Sequence, residues 1–357
     1  MLRVGIIGLG EVSAIHVNAI NASEFGELVA VCDVDPDKKS EWMEFPFFSD
    51  MESMLQKMEL DVVHICLPHY LHQPATALCV EYGAHVYLEK PLAINYEESL
   101  KQLELAESTD RKICVSFQNR FNRSFMKLID ILKNEDVGEI TSIKGLVTWF
   151  RPESYYTSKP WRGRKLEAGY GSIINQSIHT LDLIQLIGGE LKSCKASLSN
   201  LTDYDIEVED TASATFTFKS GVKAFFHGTN AYTENSSVEL QVITEKEKFT
   251  IKDSRLYFTN EDGRKEVIVE DDRIPGSKFY YGMGHRILVE RFYKSIHENT
   301  EDYVHVREAI PAMEMIEMMD RSSKNTGNAQ RVKREELLHD TTSENRSTRV
   351  HTEEAIQ

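Results

Sequence analysis

The sequence predicts two folded units in series: an α/β domain over residues 1–120, with a parallel sheet covered on both faces, then an α+β domain over residues 121–325 dominated by antiparallel strands. Three observations carry this expectation. Up to residue 120, short, continuously apolar runs alternate with longer amphipathic ones, the pattern of doubly buried strands joined by helices. Beyond it the strands lengthen, alternate apolar with polar residues and follow one another through tight turns. A chain of 357 residues also exceeds one core, since cores seldom grow past ~150–250 residues.

In the first unit, residues 2–8 read as a buried strand, 11–21 as a helix and 28–32 as a second strand. Residues 45–48 are short and strand-like, and Ser49 or Asp50 can cap the segment 51–58. Residues 62–67 are β-branched and apolar, and 72–82 are helical up to Gly83. Residues 85–88 form a strand, Asn95 with Glu98 resembles a capping box opening a helix to about 108, and 112–117 close the unit. In the second unit a helix near 124–133 precedes a long strand at 141–150. A loop rich in aromatic and charged residues, 151–170, leads into a helix at 172–187 that ends at Gly188-Gly189. Strands follow at 193–200, 211–219, 222–230, 238–244, 249–252, 255–259 and 266–270, with hairpin turns at Lys219-Ser220-Gly221 and Glu261-Asp262-Gly263. Helices return at 285–297 and 306–323. Residues 326–357 are polar and charged, and are expected to be a largely disordered tail.

Composition narrows the partners. The 41 Lys and Arg residues face 57 Asp and Glu, a net charge of −16 that repels polyphosphate at long range. With no basic cluster in the sequence, neither nucleic acid nor an anionic membrane is an expected partner. The five cysteines are scattered, without C-x-x-C, so neither a zinc site nor a disulfide framework is indicated. No apolar run approaches ~18 residues and the N-terminus lacks a cleavage-site pattern, which points to a cytoplasmic protein. The histidines are scattered as well, so no metal is expected.

Three clusters carry chemistry. Gly8-Leu9-Gly10-Glu11-Val12-Ser13 lies between the first strand and the first helix, a G-x-G-x-x-S variant of the dinucleotide fingerprint. Its first glycine permits the tight turn, and its second lets backbone approach a pyrophosphate at the helix N-terminus. Asp33 ends the second strand, where a carboxylate binds the adenosine ribose and repels a 2′-phosphate. That favours NAD over NADP, although Lys38 and Lys39 leave room for a phosphate, and Asp33 or Asp35 could instead cap the turn before Pro36. Glu89-Lys90-Pro91 follows a strand at the C-terminal edge of the parallel sheet, where such folds bind ligands; by itself it could equally be a surface turn. Finally, Asn175 and His179 share a helix face at a spacing of four, with Asp182 three further on and within reach of the histidine. This polar stripe in an apolar helix either faces a cleft or forms a satisfied buried network.

Together, Gly8 and Gly10 with Asp33, then Glu89-Lys90-Pro91, then Asn175 through Asp182, resemble the glucose–fructose oxidoreductase, inositol dehydrogenase and rhizopine-catabolism (Gfo/Idh/MocA) family over about residues 1–325. The order and separation of the three motifs are more specific than any one of them. The resemblance implies an α/β Rossmann domain followed by an α+β domain with a large open, predominantly antiparallel sheet, with NAD(P) in the first and substrate between nicotinamide and sheet. It gives Lys90 a contact with the substrate hydroxyl and nicotinamide region, and His179 the role of general acid/base. Many members have aspartate where this chain has Asn175, which cannot usefully accept a proton but can hydrogen-bond a hydroxyl. Softer matches are Leu67-Pro68-His69-Tyr70-Leu71-His72, which keeps the family histidine as His72 but replaces threonine and asparagine, and the junction segment around Gln118. Trp161-Arg162 resembles a pair that reaches the cofactor from the second domain. Interdomain packing is the plain alternative for each.

The implied activity is hydride transfer between NAD and a secondary alcohol of a sugar, cyclitol or sugar derivative. Two alternatives stand beside it: a glycosidase- or epimerase-like enzyme using transient oxidation, and a non-catalytic NAD-binding regulator, against which intact Lys90 and His179 argue. The resemblance also implies a homodimer or homotetramer through the second-domain sheet, where Phe216, Phe218, Phe225 and Phe226 suggest apolar content on both faces.

Overall fold

Val4, Ile6 and Ile7 are buried, and the strand they form, β1 (Leu2–Ile7), lies at the centre of the first sheet. A computed structural model describes residues 1–260, 262–272, 283–324 and 332–333. After β1 come α1 (Ser13–Asn21), β2 (Gly26–Cys32), β3 (Phe47–Phe48), α2 (Met51–Lys57), β4 (Val62–Ile65), α3 (His72–Glu81), β5 (His85–Leu88), α4 (Tyr96–Glu107) and β6 (Ile113–Val115). These strands pair in parallel in the order β3-β2-β1-β4-β5-β6, which is the order of a Rossmann fold. The capping signals act as expected: Asp50 accepts the Ser53 amide at 2.8 Å and Asn95 the Glu98 amide at 2.8 Å, opening α2 and α4. Gly83, at φ 81°, closes the turn after α3.

The second part contains α5 (Arg123–Asn134), β7 (Ile140–Thr148), α6 (Glu153–Thr157), α7 (Lys165–Ala168), α8 (Ser172–Asn175), α9 (Ile178–Gly188), β8 (Leu191–Ser199), β9 (Thr211–Phe218), β10 (Lys223–Thr229), β11 (Glu239–Thr244), β12 (Lys248–Lys252), β13 (Arg255–Thr259), β14 (Lys265–Glu270), α10 (Gly284–Glu298), α11 (Val306–Lys324) and β15 (Val332–Lys333). Among the described residues its sheet runs β14-β13-β12-β11-β7-β10-β9-β8-β15 and is antiparallel except for the parallel β7–β10 pair. The fold class read from the sequence is therefore the one observed. The loop at 151–170 is built of short helical turns, and the expected tail contributes only β15 to the described residues. Of the second expected hairpin turn, Glu261 lies outside the described residues.

Two details depart from the sequence reading. The single helix expected over 172–187 is two, because the Ser177 amide reaches back to the Ser172 carbonyl at 2.9 Å, one residue beyond α-helical pairing, and α9 restarts after it. The four phenylalanines singled out in the sheet are also unevenly shared between its faces. Phe216, Phe218 and Phe226 are fully buried, and only Phe225, 47% exposed, stands on the outer face among Ser142, Lys144, Thr215 and Gln241.

The C-terminal helices return to the first sheet. Helix α10 packs against α1, and the Tyr293 ring lies so close to Gly26 that a Cβ there would meet it at 2.5 Å. Helix α11 packs on α4 and β8, and the Val115 amide donates to Val304 O at 2.9 Å. The two parts thus share one hydrophobic core, which fixes the cleft between them.

Candidate active site

A cleft of about 1240 Å³ runs between the C-terminal ends of β1, β4 and β5 on one side and the second sheet with its 151–170 loop on the other. Its floor begins at Gly8. That residue has φ 92°, and a Cβ there would lie 2.5 Å from Cys66 O, so only glycine makes the turn. Gly10 faces open space, with Lys159 Nζ, 3.8 Å from a hypothetical Cβ, as its nearest neighbour. Asp33 holds the turn from beneath: its carboxylate accepts the Leu9 amide at 2.7 Å and the Asp35 amide at 2.9 Å. Glu11, Val12 and Asp33 all line the cleft. An open backbone cradle ahead of a helix, with a carboxylate beside it, fits the phosphates and ribose of a dinucleotide.

Glu89 and Lys90 follow β5. Glu89 is buried; His16 Nε2 lies 3.0 Å from its carboxylate and His285 Nε2 3.5 Å. Burial opposes its charge, but the two imidazoles hold its pKa well below the usual carboxylate range. His16 is in turn 2.8 Å from His64, whose other nitrogen meets the Tyr293 hydroxyl at 2.7 Å. Burial pulls the His16 pKa down, yet the net shift is upward; because burial also keeps Cys66 a thiol, Glu89 is the partner that holds this proton.

Lys90 Nζ donates to the Asn175 carbonyl at 2.7 Å and has no ion-pair partner among the described residues. Burial lowers its pKa, Glu89 opposes this, and the Arg151 and Arg162 guanidiniums lower it further. Across from it, His179 Nε2 sits 3.3 Å from the Gln118 amide, and its Nδ1 has no hydrogen-bond partner among the described residues. Burial, then Lys90, holds the His179 pKa well below 6.5, so the ring is neutral near pH 7. The Tyr155 hydroxyl accepts from the amides of Asn175 (3.0 Å) and Gln176 (2.9 Å). Asn230 donates to Gln176 Oε1 at 2.9 Å, which turns the Gln176 amide nitrogen toward the tyrosine.

A sequence profile for an oxidoreductase family with an NAD-binding Rossmann fold matches residues 2–117, and one for the GFO/IDH/MocA C-terminal domain matches residues 125–250. The chain belongs to the Gfo/Idh/MocA family. It is an oxidoreductase with an NAD-binding Rossmann domain. Myo-inositol 2-dehydrogenase of Thermotoga maritima is 24% identical over 313 residues, 85% of this chain and 87% of that protein. D-glucoside 3-dehydrogenase of Escherichia coli is 30% identical over 196 residues, 53% of this chain and 54% of that protein; other curated relatives also match over little more than half their length. Among solved structures, levoglucosan dehydrogenase with NADH superposes at TM-score 0.83, with 20% identity, covering 93% of this chain and 98% of that one. The WlbA dehydrogenase of Bordetella pertussis, in complex with NADH and UDP-GlcNAcA, superposes at 0.80 with 23% identity, covering 93% and 98%.

Within this Gfo/Idh/MocA cleft the structure brings together Gly8, Gly10, Glu11, Val12, Asp33, Leu67, Pro68, Glu89, Lys90, Gln118, Trp161, Arg162, Asn175 and His179. Two residues singled out in the sequence lie elsewhere. Asp182 does not touch His179: it is buried in a two-point ion pair with Arg120, at 2.8 and 2.6 Å, because the planar guanidinium matches both oxygens. His72 is buried beneath the cleft, with its ring nitrogens 2.7 Å from Pro91 O and 2.9 Å from Leu67 O, so it ties two cleft-lining turns together from below. His16, Glu89 and His285, far apart in sequence, present ligand atoms within 4.8 Å of one another. At 3.0 Å, the His16–Glu89 contact has the length of an N–H···O hydrogen bond.

Sequence reasoning missed Tyr155, Lys159 and Arg151. All three lie in or beside the 151–170 loop, whose aromatic and basic content was the available signal. Lys159 and Arg162 reach toward the glycine turn, Arg162 Nη2 lying 3.6 Å from Glu11 and its guanidinium 4.1 Å over the Tyr155 ring.

Proposed function

We propose that this protein is an NAD-dependent dehydrogenase that oxidises a secondary alcohol of a sugar, cyclitol or sugar derivative, with Lys90 and His179 as its acid–base pair. The observation that carries the reading is the setting of Lys90: an amine with a depressed pKa, held on Asn175 O, beside a neutral histidine and a tyrosine hydroxyl. Gly8, Gly10, Glu11, Val12 and Asp33 would hold the dinucleotide, with Leu67, Pro68, Glu89, Gln118, Trp161 and Arg162 closing around it. NAD, when bound, supplies the hydride acceptor. Lys90 is the stronger base of the pair and takes the hydroxyl proton. His179, whose low pKa keeps it neutral, orients the same oxygen, while Asn175 fixes Lys90 through its carbonyl and Tyr155 through its amide. Similarity to inositol and glucoside dehydrogenases supports a cyclic polyol as substrate. The test is a panel of polyols, aldoses and nucleotide sugars followed by NADH absorbance. Lys90→Ala is expected to lower kcat by ~10²–10⁴-fold, with NAD affinity within a few-fold of wild type. Turnover by that variant within a few-fold of wild type removes Lys90 from the chemistry.

The five cysteines are buried and free, which supports a cytoplasmic setting, and no described helix is long and apolar enough to cross a membrane. For assembly we infer a homodimer or homotetramer joined through the outer sheet face, with exposed Phe225 as its apolar anchor. Light scattering at micromolar concentration that returned a monomer's mass would count against it.

A further inference from the structure

The basic residues of the cleft divide by what they face. Lys159 and Arg162 point to the first domain, at Gly10 and Glu11, where a dinucleotide's phosphates answer their charge. Arg151 does not. Among the described residues its side chain makes polar contacts only within the second domain: Nη1 donates to Phe150 O at 2.7 Å and to Asn235 Oδ1 at 2.9 Å. Its guanidinium lies 4.8 Å from the Trp149 ring centre and 5.4 Å from that of Tyr155. Among the described residues no carboxylate comes within ion-pair distance of it, in a chain where acids outnumber bases 57 to 41. A half-buried guanidinium, aligned by two neutral oxygens and backed by two aromatic rings, keeps donors unspent for a planar or tetrahedral anion.

We infer that the second-domain wall of this cleft is an anion subsite built on Arg151, and that the substrate is a hydroxyl compound carrying a carboxylate or phosphate on the side away from the oxidised carbon. The inference rests on the dehydrogenase reading and adds its substrate class. The electrostatics agree. Burial lowers the Lys90 pKa and Glu89 opposes this, but Arg151 and Arg162 lower it further, so two guanidinium charges bear on the region around the reacting hydroxyl, where an anionic substrate would meet them.

The test uses the full chain saturated with NAD and four ligands: a neutral hexose, its hexuronate, its 6-phosphate and a nucleotide-linked hexuronate. Calorimetric titration reads the subsite whether or not turnover follows, and initial rates give kcat/KM. At least one anionic ligand is expected to bind about tenfold or more tighter than the neutral hexose, and which one distinguishes carboxylate from phosphate. Arg151→Gln should cut that preference by about tenfold, and Arg151→Lys should restore part of it, because a lysine keeps the charge but loses the fork. A brace for the aromatic wall would behave differently: Arg151→Gln would weaken neutral and anionic ligands alike, and that result overturns the inference. So does equal affinity of the wild type for all four ligands. Tight binding of an anion without NADH formation keeps the subsite and instead refutes the dehydrogenase reading.

Discussion

The two walls of the cleft are built by different means. On the first-domain wall, function resides in the backbone: a glycine at positive φ, an open position at Gly10, and a carboxylate that grips the turn from two residues' amides. On the second-domain wall it resides in side chains that meet only after folding, such as Tyr155 receiving the amides of Asn175 and Gln176 from 20 and 21 residues away. A backbone device needs a short, fixed spacing and leaves a motif. A side-chain device needs only that the right groups converge, and many sequences allow that.

The largest expected effect lies at the junction of the two walls. If the Asp182–Arg120 pair is structural, Asp182→Ala leaves a buried guanidinium with Glu308, 3.7 Å away, as its remaining counter-charge and lowers unfolding free energy by ~3 kcal/mol, the low end for a broken buried pair, in a denaturant titration. Any enzyme that still folds should keep its pH profile. A variant with wild-type stability but a shifted pH–rate profile would return Asp182 to the acid–base set.

Asp182 also shows where the sequence stops informing. Its spacing from His179 was correct for contact on a helix face, but an arginine 62 residues earlier in the chain captured it. The same long-range capture joins His16, His64 and Tyr293, the last two 229 residues apart, into one chain of hydrogen bonds. By contrast the glycine turn, Asp33 and Glu89-Lys90 were legible because each sits at the end of a strand whose apolar run announces it. Tyr155, Lys159 and Arg151 lie in a segment without periodicity, so composition flagged the loop and could not rank its members.

Acidification should separate the walls next. Burial keeps His64 and His69 on the first wall, and His179 on the second, well below 6.5, so the native state excludes protons that the unfolded chain binds. Stability therefore falls as pH drops below about 6.5, by at most ~1.4 kcal/mol per pH unit for each such histidine. His16 has the opposite sign: its raised pKa contributes stability that is complete below its unfolded value and is lost as pH rises through the folded one. Thermal melts from pH 7.5 to 5 should show Tm decreasing, with a shallower decrease in His179→Gln; a flat profile would mean that these rings are protonated in the native state.

A smaller effect tests the backbone wall by itself. Asp33→Ala should reduce the preference for NAD over NADP by about tenfold, ~1.4 kcal/mol, since one substitution removes a ribose bond and a phosphate repulsion. Asp33 also holds the Leu9 amide, so both cofactors should weaken together by a further amount. A two-cofactor titration separates the two: the common loss reports the turn, and the ratio reports the ribose. If the ratio stays constant, Asp33 serves the turn only.

The smallest effect tests whether the second wall touches the cofactor at all. Lys159 projects from the 151–170 loop to within 3.8 Å of where a Gly10 side chain would begin, and burial with Arg162 nearby lowers its pKa. A half-exposed ammonium over a diphosphate is worth ~0.5–1 kcal/mol, so Lys159→Ala should raise the Kd for NAD about two- to fivefold. Because the contact is between charges at the cleft mouth, the variant should also show a weaker dependence of Kd on salt. Its Tm without cofactor should not change, since Lys159 has no ion-pair partner among the described residues to lose. An unchanged Kd with an unchanged salt slope would confine NAD recognition to the backbone wall, and Lys159 would then be free to serve the substrate's anion beside Arg151.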